Sequence, residues 1–320
     1  MTSNPLTSLD DIIAAQPLVR EYLLQTPIVT SQGLNALTGM NLRFKAEMFQ
    51  KTGSFKPRGM LNKINRLSDE EKRRGVITVS AGNAAQGVAF AASKLGIAAT
   101  VIMPENAVQS KAEAAKGYGA RVIQHCTVKD LFPKMREIQA AEGQTFVHPF
   151  DDLLVFAGHG TLGLEILDDG PTPDVVFVPV GGGGLISGVA SAIKLSNPSV
   201  KVIGVEPVGA PGMTQALAAG KSVPLDTVST IADGLAAPFA GEHCLRHVQA
   251  FVDEVVLVTD DEIAQAMRLI MERLKLVAEP AAAASFAALL FNKVDVPPGA
   301  EVVCVLSGGN VDLSLFKRIF

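Results

Sequence analysis

Short runs of β-branched and aliphatic residues alternate with longer helical patterns along most of the chain. The clearest runs predict strands at Val76–Ser80, Ala99–Met103, Arg121–Gln124, Val175–Val180, Lys201–Val205, Glu254–Val258 and Glu301–Leu306. The clearest helical patterns between them are Ala84–Leu95, Gln109–Tyr118, Val128–Glu142, Leu153–Leu167 and Asp261–Leu276. Apolar strands that are each followed by a helix are typical of a parallel sheet with helices on both faces. The pattern therefore predicts an α/β fold, in which ligands bind at the carboxyl ends of the strands.

The composition argues against several classes of protein. The 320 residues are 48% hydrophobic and 19% charged, with a formal net charge of −4, no Trp and two Tyr. Such a chain has neither the positive charge nor the aromatic residues that nucleic acids or anionic membranes select. The longest apolar run, Ala281–Phe291, is too short to cross a bilayer, and the N-terminal segment lacks a signal-peptide pattern, so we expect a cytoplasmic protein.

The three cysteines are widely spaced, at Cys126, Cys244 and Cys304. They form neither a zinc motif nor a disulfide framework. We expect each of them to be a small, buried side chain.

Four consecutive glycines follow the predicted strand Val175–Val180 and precede a predicted helix: Gly181, Gly182, Gly183 and Gly184. Uncovered backbone N–H groups at a helix N-terminus favour a bound phosphate. The spacing of a dinucleotide motif is incomplete, because Ile186 and Ser187 stand where the third glycine is needed. Glu206, however, ends the next strand about where a ribose-binding acid would lie, so a nicotinamide enzyme remains an alternative.

Lys56 lies between Phe55 and Pro57, which restrict its conformation and reduce its contact with water. Partial desolvation, together with a nearby cation such as Arg58, would lower its pKa and make it nucleophilic. A solvated surface lysine is the alternative interpretation of this segment.

Two more segments place small polar residues at strand ends. The first is Ser80-Ala81-Gly82-Asn83-Ala84, whose backbone amides could hold a carboxylate, although Asn83 could also simply cap the next helix. The second is Ser307, after the last predicted strand, which is either a ligand contact or a turn residue.

The order of these segments resembles that of the fold-type II pyridoxal-phosphate enzymes. The shared segments are GSFKPRG at 53–59, SAGN at 80–83, the four glycines, GVEP at 204–207, ADG at 232–234, Glu279-Pro280 and LSGGN at 306–310. Within that group the chain is most similar to the threonine/serine dehydratase and serine racemase branch, from about residue 23 to residue 310. The resemblance implies a tryptophan synthase β-like α/β fold with two open, twisted, mostly parallel sheets flanked by helices.

The same resemblance implies roles for single residues. Lys56 would form the Schiff base with pyridoxal 5′-phosphate and later move the Cα proton, while Phe55 would pack against the pyridine ring. Asn83 would contact the 3′-oxygen, the four glycines would hold the phosphate, and Ser307 would pair with the pyridine nitrogen. A serine does not enforce a protonated ring, which favours loss of the β-substituent over transamination.

Substrate binding is implied for the segment from Ser80 to Ala84. Ser80 and the amides around Gly82 and Asn83 would bind the substrate carboxylate. The product would be an enamine that hydrolyses to a 2-oxo acid and ammonia. Threonine, serine, hydroxyaspartate and phenylserine are all possible substrates.

A split architecture and a dimer are also implied. A small substrate-binding domain of residues 47–148 would close as a lid over a large cofactor-binding domain of residues 1–46 and 149–320. The usual assembly in this group is a homodimer.

Two alanines depart from the pattern of the group. Racemases of the branch carry a second serine where this chain has Ala81, so efficient racemisation is not expected. The group commonly has a histidine where this chain has Ala84. The smaller side chain opens volume beside the substrate, and we hypothesise that it admits a bulky β-substituent such as the phenyl of phenylserine.

A divalent metal site is also altered. Relatives that bind Mg²⁺ or Ca²⁺ use a glutamate, a carbonyl and an aspartate; Glu206 and the carbonyl of Ala210 match, but Gly212 replaces the aspartate. Because hard cations need oxygen ligands, we predict weak or absent metal dependence.

Four functional hypotheses follow. The leading one is a dehydratase of β-hydroxy amino acids. The others are a racemase or β-replacement enzyme with the same cofactor, a nicotinamide-dependent oxidoreductase, and a non-catalytic binding protein on the same fold.

Overall fold

The structure is a computed structural model that describes residues 5–319 except 106, 108, 126, 128 and 129. The helices are α1 Leu9–Tyr22, α2 Gln32–Thr38, α3 Pro57–Asn65, α4 Asp69–Arg74, α5 Asn83–Lys94, α6 Gln109–Gly117, α7 Leu131–Glu142, α8 Leu153–Asp168, α9 Gly184–Ser196, α10 Gly212–Ala219, α11 Glu242–Phe251, α12 Asp260–Leu269, α13 Pro280–Leu290 and α14 Leu313–Ile319. The strands are β1 Ile28–Thr30, β2 Asn41–Ala46, β3 Val76–Val79, β4 Ala99–Met103, β5 Arg121–Gln124, β6 Thr145–Phe146, β7 Val175–Pro179, β8 Lys201–Pro207, β9 Glu254–Val258 and β10 Glu301–Leu306.

A six-stranded sheet forms the larger half of the molecule, in the order β1-β2-β10-β7-β8-β9. All neighbouring strands in it are parallel except β1 and β2. The central strands β7 and β10 are apolar along almost their whole length and buried, as expected of strands covered on both faces. Their carboxyl ends point to one edge of the sheet, where the glycine segment and Ser307 follow them.

A second, four-stranded parallel sheet has the order β5-β4-β3-β6. Its strands all lie between residues 76 and 146, inside the predicted small domain, and the strands of the larger sheet all lie outside that range. The two parallel sheets flanked by helices agree with the predicted fold class. Closure of residues 47–148 as a lid remains a prediction.

Helix α13 is buried, and it begins at the edge of the larger sheet. Apart from Leu290, its residues are buried, and it packs on β7, β8 and β10. The residues at 281–284, 287 and 288 are alanines, whose small side chains let the helix lie close to the strands. The apolar run Ala281–Phe291 is therefore part of the core. In the sequence it lies between two of the candidate segments, which contain Glu279 and Ser307.

Some predicted elements have different limits in the structure. The pattern at Asp261–Leu276 is α12 followed by a π-helix at Ile270–Leu274, and the chain then turns at Lys275, which has a φ of +60°. Helix α7 is described from Leu131, and Val128, the first residue of the predicted helix, lies outside the described residues. Strand β8 continues to Pro207, so Glu206 lies within the strand.

The cysteines follow the prediction where they are described. Cys244 and Cys304 are free and fully buried, whereas Cys126 lies outside the described residues. None of the described helices has the length and apolar character that a bilayer crossing requires.

Candidate active site

A cavity of about 340 Å³ lies where the carboxyl ends of both sheets meet. This volume is within the range of small-molecule sites. The cavity brings together almost all the predicted site residues: Phe55, Lys56, Ser80, Ala81, Gly82, Asn83, Ala84, Gly181, Gly182, Gly183, Gly184 and Ser307. Segments far apart in the sequence thus converge on one space.

Lys56 presents its amine to this cavity from the residue just before helix α3. Its Nζ donates a hydrogen bond to the carbonyl oxygen of Pro149 at 2.7 Å and lies 5.2 Å from the centre of the Phe55 ring. Burial lowers the pKa of Lys56 to about 8, although the nearby carboxyl of Glu279 opposes the shift. A larger neutral fraction makes this amine a better nucleophile than an ordinary lysine at neutral pH.

Arg58 does not assist Lys56 in the expected way, and that part of the prediction is wrong. The Arg58 guanidinium is fully buried and forms ion pairs with Glu47 and Glu165 at 2.8 and 2.6 Å. Two carboxylates neutralise its charge, so burial is the cause that lowers the pKa of Lys56. Arg58 instead fixes helix α3, which begins at the residue after Lys56, to α8 and to the end of β2.

The four glycines form a tight turn between β7 and α9. Gly183 has a φ of +104°, and a Cβ atom there would lie 2.6 Å from the Cβ of Cys244. A Cβ on Gly182 would lie 2.5 Å from the ring of Phe150. Glycine is therefore required by the backbone geometry and by close packing. Helix α9 starts at Gly184 with no side-chain cap, which leaves first-turn N–H groups available for an anion.

Asn83 lies at the first position of α5, with Gly82 at the N-cap, so it is not the helix cap. Its Nδ2 donates to Glu279 Oε1 at 2.8 Å, and its Oδ1 accepts from Asn310 Nδ2 at 2.8 Å. The Asn83 amide thus links helix α5 to Glu279, which immediately precedes α13, and to Asn310, which follows β10. In the sequence, Glu279 and Asn310 stand out only as parts of motifs.

The rest of the Ser80–Ala84 segment lines the cavity next to Asn83. The hydroxyl oxygen of Ser80 accepts a hydrogen bond from the Gly82 N–H at 3.1 Å. A Cβ on Gly82 would meet nothing within 4 Å, so the space above this turn is open. Helix α5 has no side-chain cap, and its first N–H groups are suited to a carboxylate.

Phe55 and Ser307 are joined through their backbones. The N–H of Phe55 donates to the carbonyl oxygen of Ser307 at 3.0 Å, which places both side chains on the same wall of the cavity. Behind Phe55 lies His159, whose ring centroid is 4.8 Å from that of Phe55. Burial lowers the pKa of His159 to about 3, so this imidazole is neutral and acts as support for the Phe55 ring.

Glu206 and Ala210, the weak metal candidates, lie outside this cavity. The Glu206 carboxylate is buried and accepts hydrogen bonds from the N–H groups of Met213 and Thr214 at 2.7 and 2.8 Å. It therefore caps the start of α10. Burial raises the pKa of Glu206 to about 7, and these hydrogen bonds oppose the shift. Glu206, the residue that kept the nicotinamide alternative open, thus has a structural role at the start of α10.

A salt bridge that the sequence does not reveal joins two segments that line the cavity. Lys111, on α6 beside the smaller sheet, pairs with Asp233 in the segment between α10 and α11, and both residues line the cavity. Asp233 stands out in the sequence only as part of the ADG motif. Nothing local in the sequence marks Lys111, because its partner is 122 residues away.

Pyridoxal phosphate fits this arrangement of residues. The glycine turn offers backbone donors for a phosphate, and the partly buried amine of Lys56 lines the same cavity. The apolar wall of Phe55 suits an aromatic ring, and Ser307 suits a ring nitrogen. The site has the parts of a class of enzyme that binds a phosphorylated aldehyde through lysine.

Comparison with known proteins agrees with this geometry. Residues 19–308 match the model of the family described as "Pyridoxal-phosphate dependent enzyme". The chain is 46% identical over 315 residues to an L-threonine ammonia-lyase of Thermotoga maritima, covering 98% of this chain and 78% of that protein. It is 45% identical to a catabolic L-threonine dehydratase of Staphylococcus aureus, covering 98% and 94%.

Solved structures show the same relationship. A maize serine racemase has a TM-score of 0.94 and 39% identity, covering 98% of this chain and 97% of that one. The processed form of a threonine deaminase from Solanum lycopersicum has a TM-score of 0.91 and 36% identity, covering 99% and 95%. The chain belongs to the pyridoxal-phosphate dependent enzyme family, with the fold-type II architecture. The predicted fold class, cofactor and family are therefore confirmed.

Proposed function

We propose that this chain is a pyridoxal-phosphate-dependent lyase that converts a β-hydroxy-α-amino acid of the threonine or serine type to a 2-oxo acid and ammonia. The observation that carries the proposal is the partly buried Lys56 amine in a cavity that also contains the glycine turn and the Ser80–Ala84 segment. The threonine ammonia-lyase and dehydratase relatives, at 45–46% identity over nearly the whole chain, support the same reaction.

Two kinds of role are proposed for these residues: backbone N–H groups hold the ligands, and Lys56 transfers the proton. The N–H groups at the starts of α9 and α5, where no side chain caps the helix, would bind the cofactor phosphate and the substrate carboxylate. Bound pyridoxal phosphate supplies an electron-withdrawing ring that stabilises negative charge at the substrate Cα. Lys56 Nζ would hold the cofactor covalently, and because its pKa is lowered to about 8, a neutral fraction of the amine would be present at neutral pH to take the proton from Cα.

The remaining contacts set the environment of the ring. Phe55 would pack against the pyridine ring, Asn83 would donate to the 3′-oxygen, and Ser307 would pair with the pyridine nitrogen. Each of these side chains lines the cavity, and Phe55 and Ser307 are almost fully buried. Water is therefore excluded from the side of the cavity where the ring would lie.

Within the substrate class, we propose that the enzyme accepts bulky apolar β-substituents such as that of phenylserine. The supporting observation is that Ala81 and Ala84 line the same cavity as larger apolar residues, among them Leu131, Phe132 and Phe239. Methyl groups at 81 and 84 leave space that larger side chains would fill. An aromatic substituent would bury apolar area against this wall.

The test is 2-oxo acid release measured across threonine, serine, hydroxyaspartate and phenylserine. We expect efficient turnover of phenylserine, and the A84H variant to lower kcat/KM for phenylserine relative to threonine by about tenfold. The K56A variant, as the negative control, should release none above background. A clear preference for serine in the wild-type enzyme would contradict the assignment of a bulky substituent.

Serine racemisation is the second candidate, and the similarity to the maize serine racemase favours it. Ala81 opposes it, since a methyl group carries no proton for the opposite face of Cα. We expect D-serine formation to be slow compared with pyruvate release, and the A81S variant to raise that ratio. Rapid racemisation by the wild-type enzyme would make this the better assignment.

Metal dependence is proposed to be weak or absent. Glu206 is already bonded to the start of α10, and Gly212 has no side-chain ligand atom to offer beside it. Treatment with a chelator should leave both kcat and the melting temperature nearly unchanged. A large activity loss that Mg²⁺ restores would contradict this.

A cytoplasmic location and a homodimer stay predictions. Phe49 and Val277, each 47% exposed, line a shallow depression together with Asn310, which bonds to Asn83 of the active site. Burial of these two apolar side chains would favour association of two copies. Light scattering on wild-type and F49E protein distinguishes a dimer from a monomer.

A further inference from the structure

The amide of Asn83 is held at both ends by other side chains. Asn310 Nδ2 donates to its Oδ1, and its own Nδ2 donates to Glu279 Oε1, each at 2.8 Å. Asn310 is fixed in turn, because its Nδ2 also donates to the carbonyl oxygen of Thr52 at 2.7 Å. The Asn83 amide keeps two free positions for a ligand: the second N–H of Nδ2, which can donate, and the second lone pair of Oδ1, which can accept.

Glu279 is an unusual residue for its position. It is the N-cap residue of α13, immediately before Pro280, yet its side chain does not cap the helix. The side chain is 2% exposed and lines the cavity, and its buried Oε2 has no partner of good hydrogen-bond geometry among the described residues, although the backbone N–H of Asn310 lies close enough to lower the pKa of the carboxyl. A buried carboxyl that served packing alone would have both oxygens paired, or would be replaced by an apolar residue at little cost.

The chemistry of the carboxylate determines which way the amide faces. An ionised carboxylate only accepts hydrogen bonds, so Asn83 must present its NH₂ group to Glu279 and its oxygen to Asn310. Burial raises the pKa of Glu279 to about 7, while the hydrogen bond from Asn83 opposes the rise. Near neutral pH the carboxyl is therefore only partly ionised, and the hydrogen bond from Asn83 favours its ionised, accepting form.

We propose that Glu279 is a positioning residue that acts through Asn83, holding its amide so that an N–H faces the 3′-oxygen of pyridoxal phosphate. The inference rests on the proposed function, in which Asn83 contacts that oxygen. Without Glu279, the amide can rotate and lose this donor. An oriented hydrogen bond to a negatively charged oxygen is worth more than one between neutral groups.

The test compares two cofactors that differ only at this oxygen: pyridoxal 5′-phosphate and 3-deoxypyridoxal 5′-phosphate. Full-length wild-type, N83A, E279A, E279M and N83A/E279A proteins are freed of cofactor, and the dissociation constant of each cofactor is measured by spectroscopic titration. We expect N83A, E279A and E279M each to weaken pyridoxal phosphate binding about tenfold while changing binding of the 3-deoxy analogue by less than about twofold. The double variant should be no weaker than N83A.

The conservative variant E279Q provides the rescue. Its amide oxygen can accept the same hydrogen bond from Asn83, so we expect it to keep the preference for the 3-oxygenated cofactor. E279M retains most of the side-chain volume, which keeps the comparison interpretable if E279A is too unstable to study.

The outcomes separate this inference from the proposed function. If N83A weakens both cofactors equally, the contact between Asn83 and the 3′-oxygen is wrong, and this inference fails with it. If N83A discriminates between the cofactors but E279A and E279M do not, the role of Glu279 alone is overturned. Independent, multiplying effects of the two substitutions would likewise overturn it.

Discussion

Replacing Arg58 by methionine tests the buried ionic network behind the active site. In the wild-type protein, Arg58 donates hydrogen bonds to both oxygens of Glu47 and both oxygens of Glu165. Lys45, which is also fully buried, pairs with Glu165 at 2.9 Å and with Asp169 at 2.8 Å. Methionine retains much of the side-chain length but leaves Glu47, within the described part of the chain, with only the hydroxyl of Thr26 as a side-chain partner.

The expected loss of stability is large. Removing one partner from a buried ion pair costs about 3–5 kcal/mol, because the remaining charge stays buried and uncompensated. Against a total unfolding free energy of about 5–15 kcal/mol, this is a substantial fraction. At about 2 °C per kcal/mol for a chain of this size, the melting temperature should fall by about 6–10 °C.

The assay is thermal unfolding of the cofactor-loaded enzyme, followed by circular dichroism. An exposed pair, Arg268 with Glu272 at 2.8 Å, provides the matched control, and R268M should shift the melting temperature by less than about 1 °C. Adding E47Q to R58M should restore part of the loss, since it removes the uncompensated carboxylate. If R58M lowered the melting temperature by no more than R268M, the network would not be anchoring α3.

Two further predictions concern the amine of Lys56 and the salt bridge between Lys111 and Asp233. The rate at which cofactor-free protein attaches pyridoxal phosphate should rise with pH, with a midpoint near 8, because only the neutral amine of Lys56 attacks the aldehyde. Stopped-flow absorbance measures this rate. A midpoint near the ordinary pKa of 10.5 would show that burial does not lower the pKa of this lysine. Loss of the Lys111–Asp233 pair in K111M or D233N should raise KM for threonine by about three- to tenfold, with a smaller effect on kcat, because the pair joins the two sides of the cavity. Steady-state kinetics measure both constants, and a lower kcat with an unchanged KM would argue against this role.

Much of the fold follows from local sequence. Strands such as β4 and β7 are apolar throughout because both faces are covered, and that pattern is visible in the chain itself. Strand β2 is not predicted, because Arg43 and Lys45 interrupt its apolar pattern. Both side chains are nonetheless buried, since acceptors near residue 169, more than 120 residues away, satisfy them. Long-range pairing of this kind leaves no local signal.

The active site shows the same division. Four glycines in a row after a strand point to a phosphate site from the sequence, whereas the neighbours of Lys56 alone do not separate it from a surface lysine, and its role is implied by the order of the motifs. The orientation of Asn83 is not predictable from the sequence, because Glu279 lies 196 residues away and is recognised as a partner only in the folded chain. The expected assistance from Arg58 was wrong for a related reason: the two carboxylates that neutralise it come from other elements.

The central claim is that the Nζ of residue 56 is the atom that binds the cofactor covalently. Borohydride reduction of the active enzyme, followed by proteolysis and mass spectrometry, locates the attachment directly. We expect one phosphopyridoxyl group, on the peptide that contains Lys56, and none in K56A protein. A modified lysine elsewhere, with residue 56 unmodified in a fully active sample, would contradict the claim.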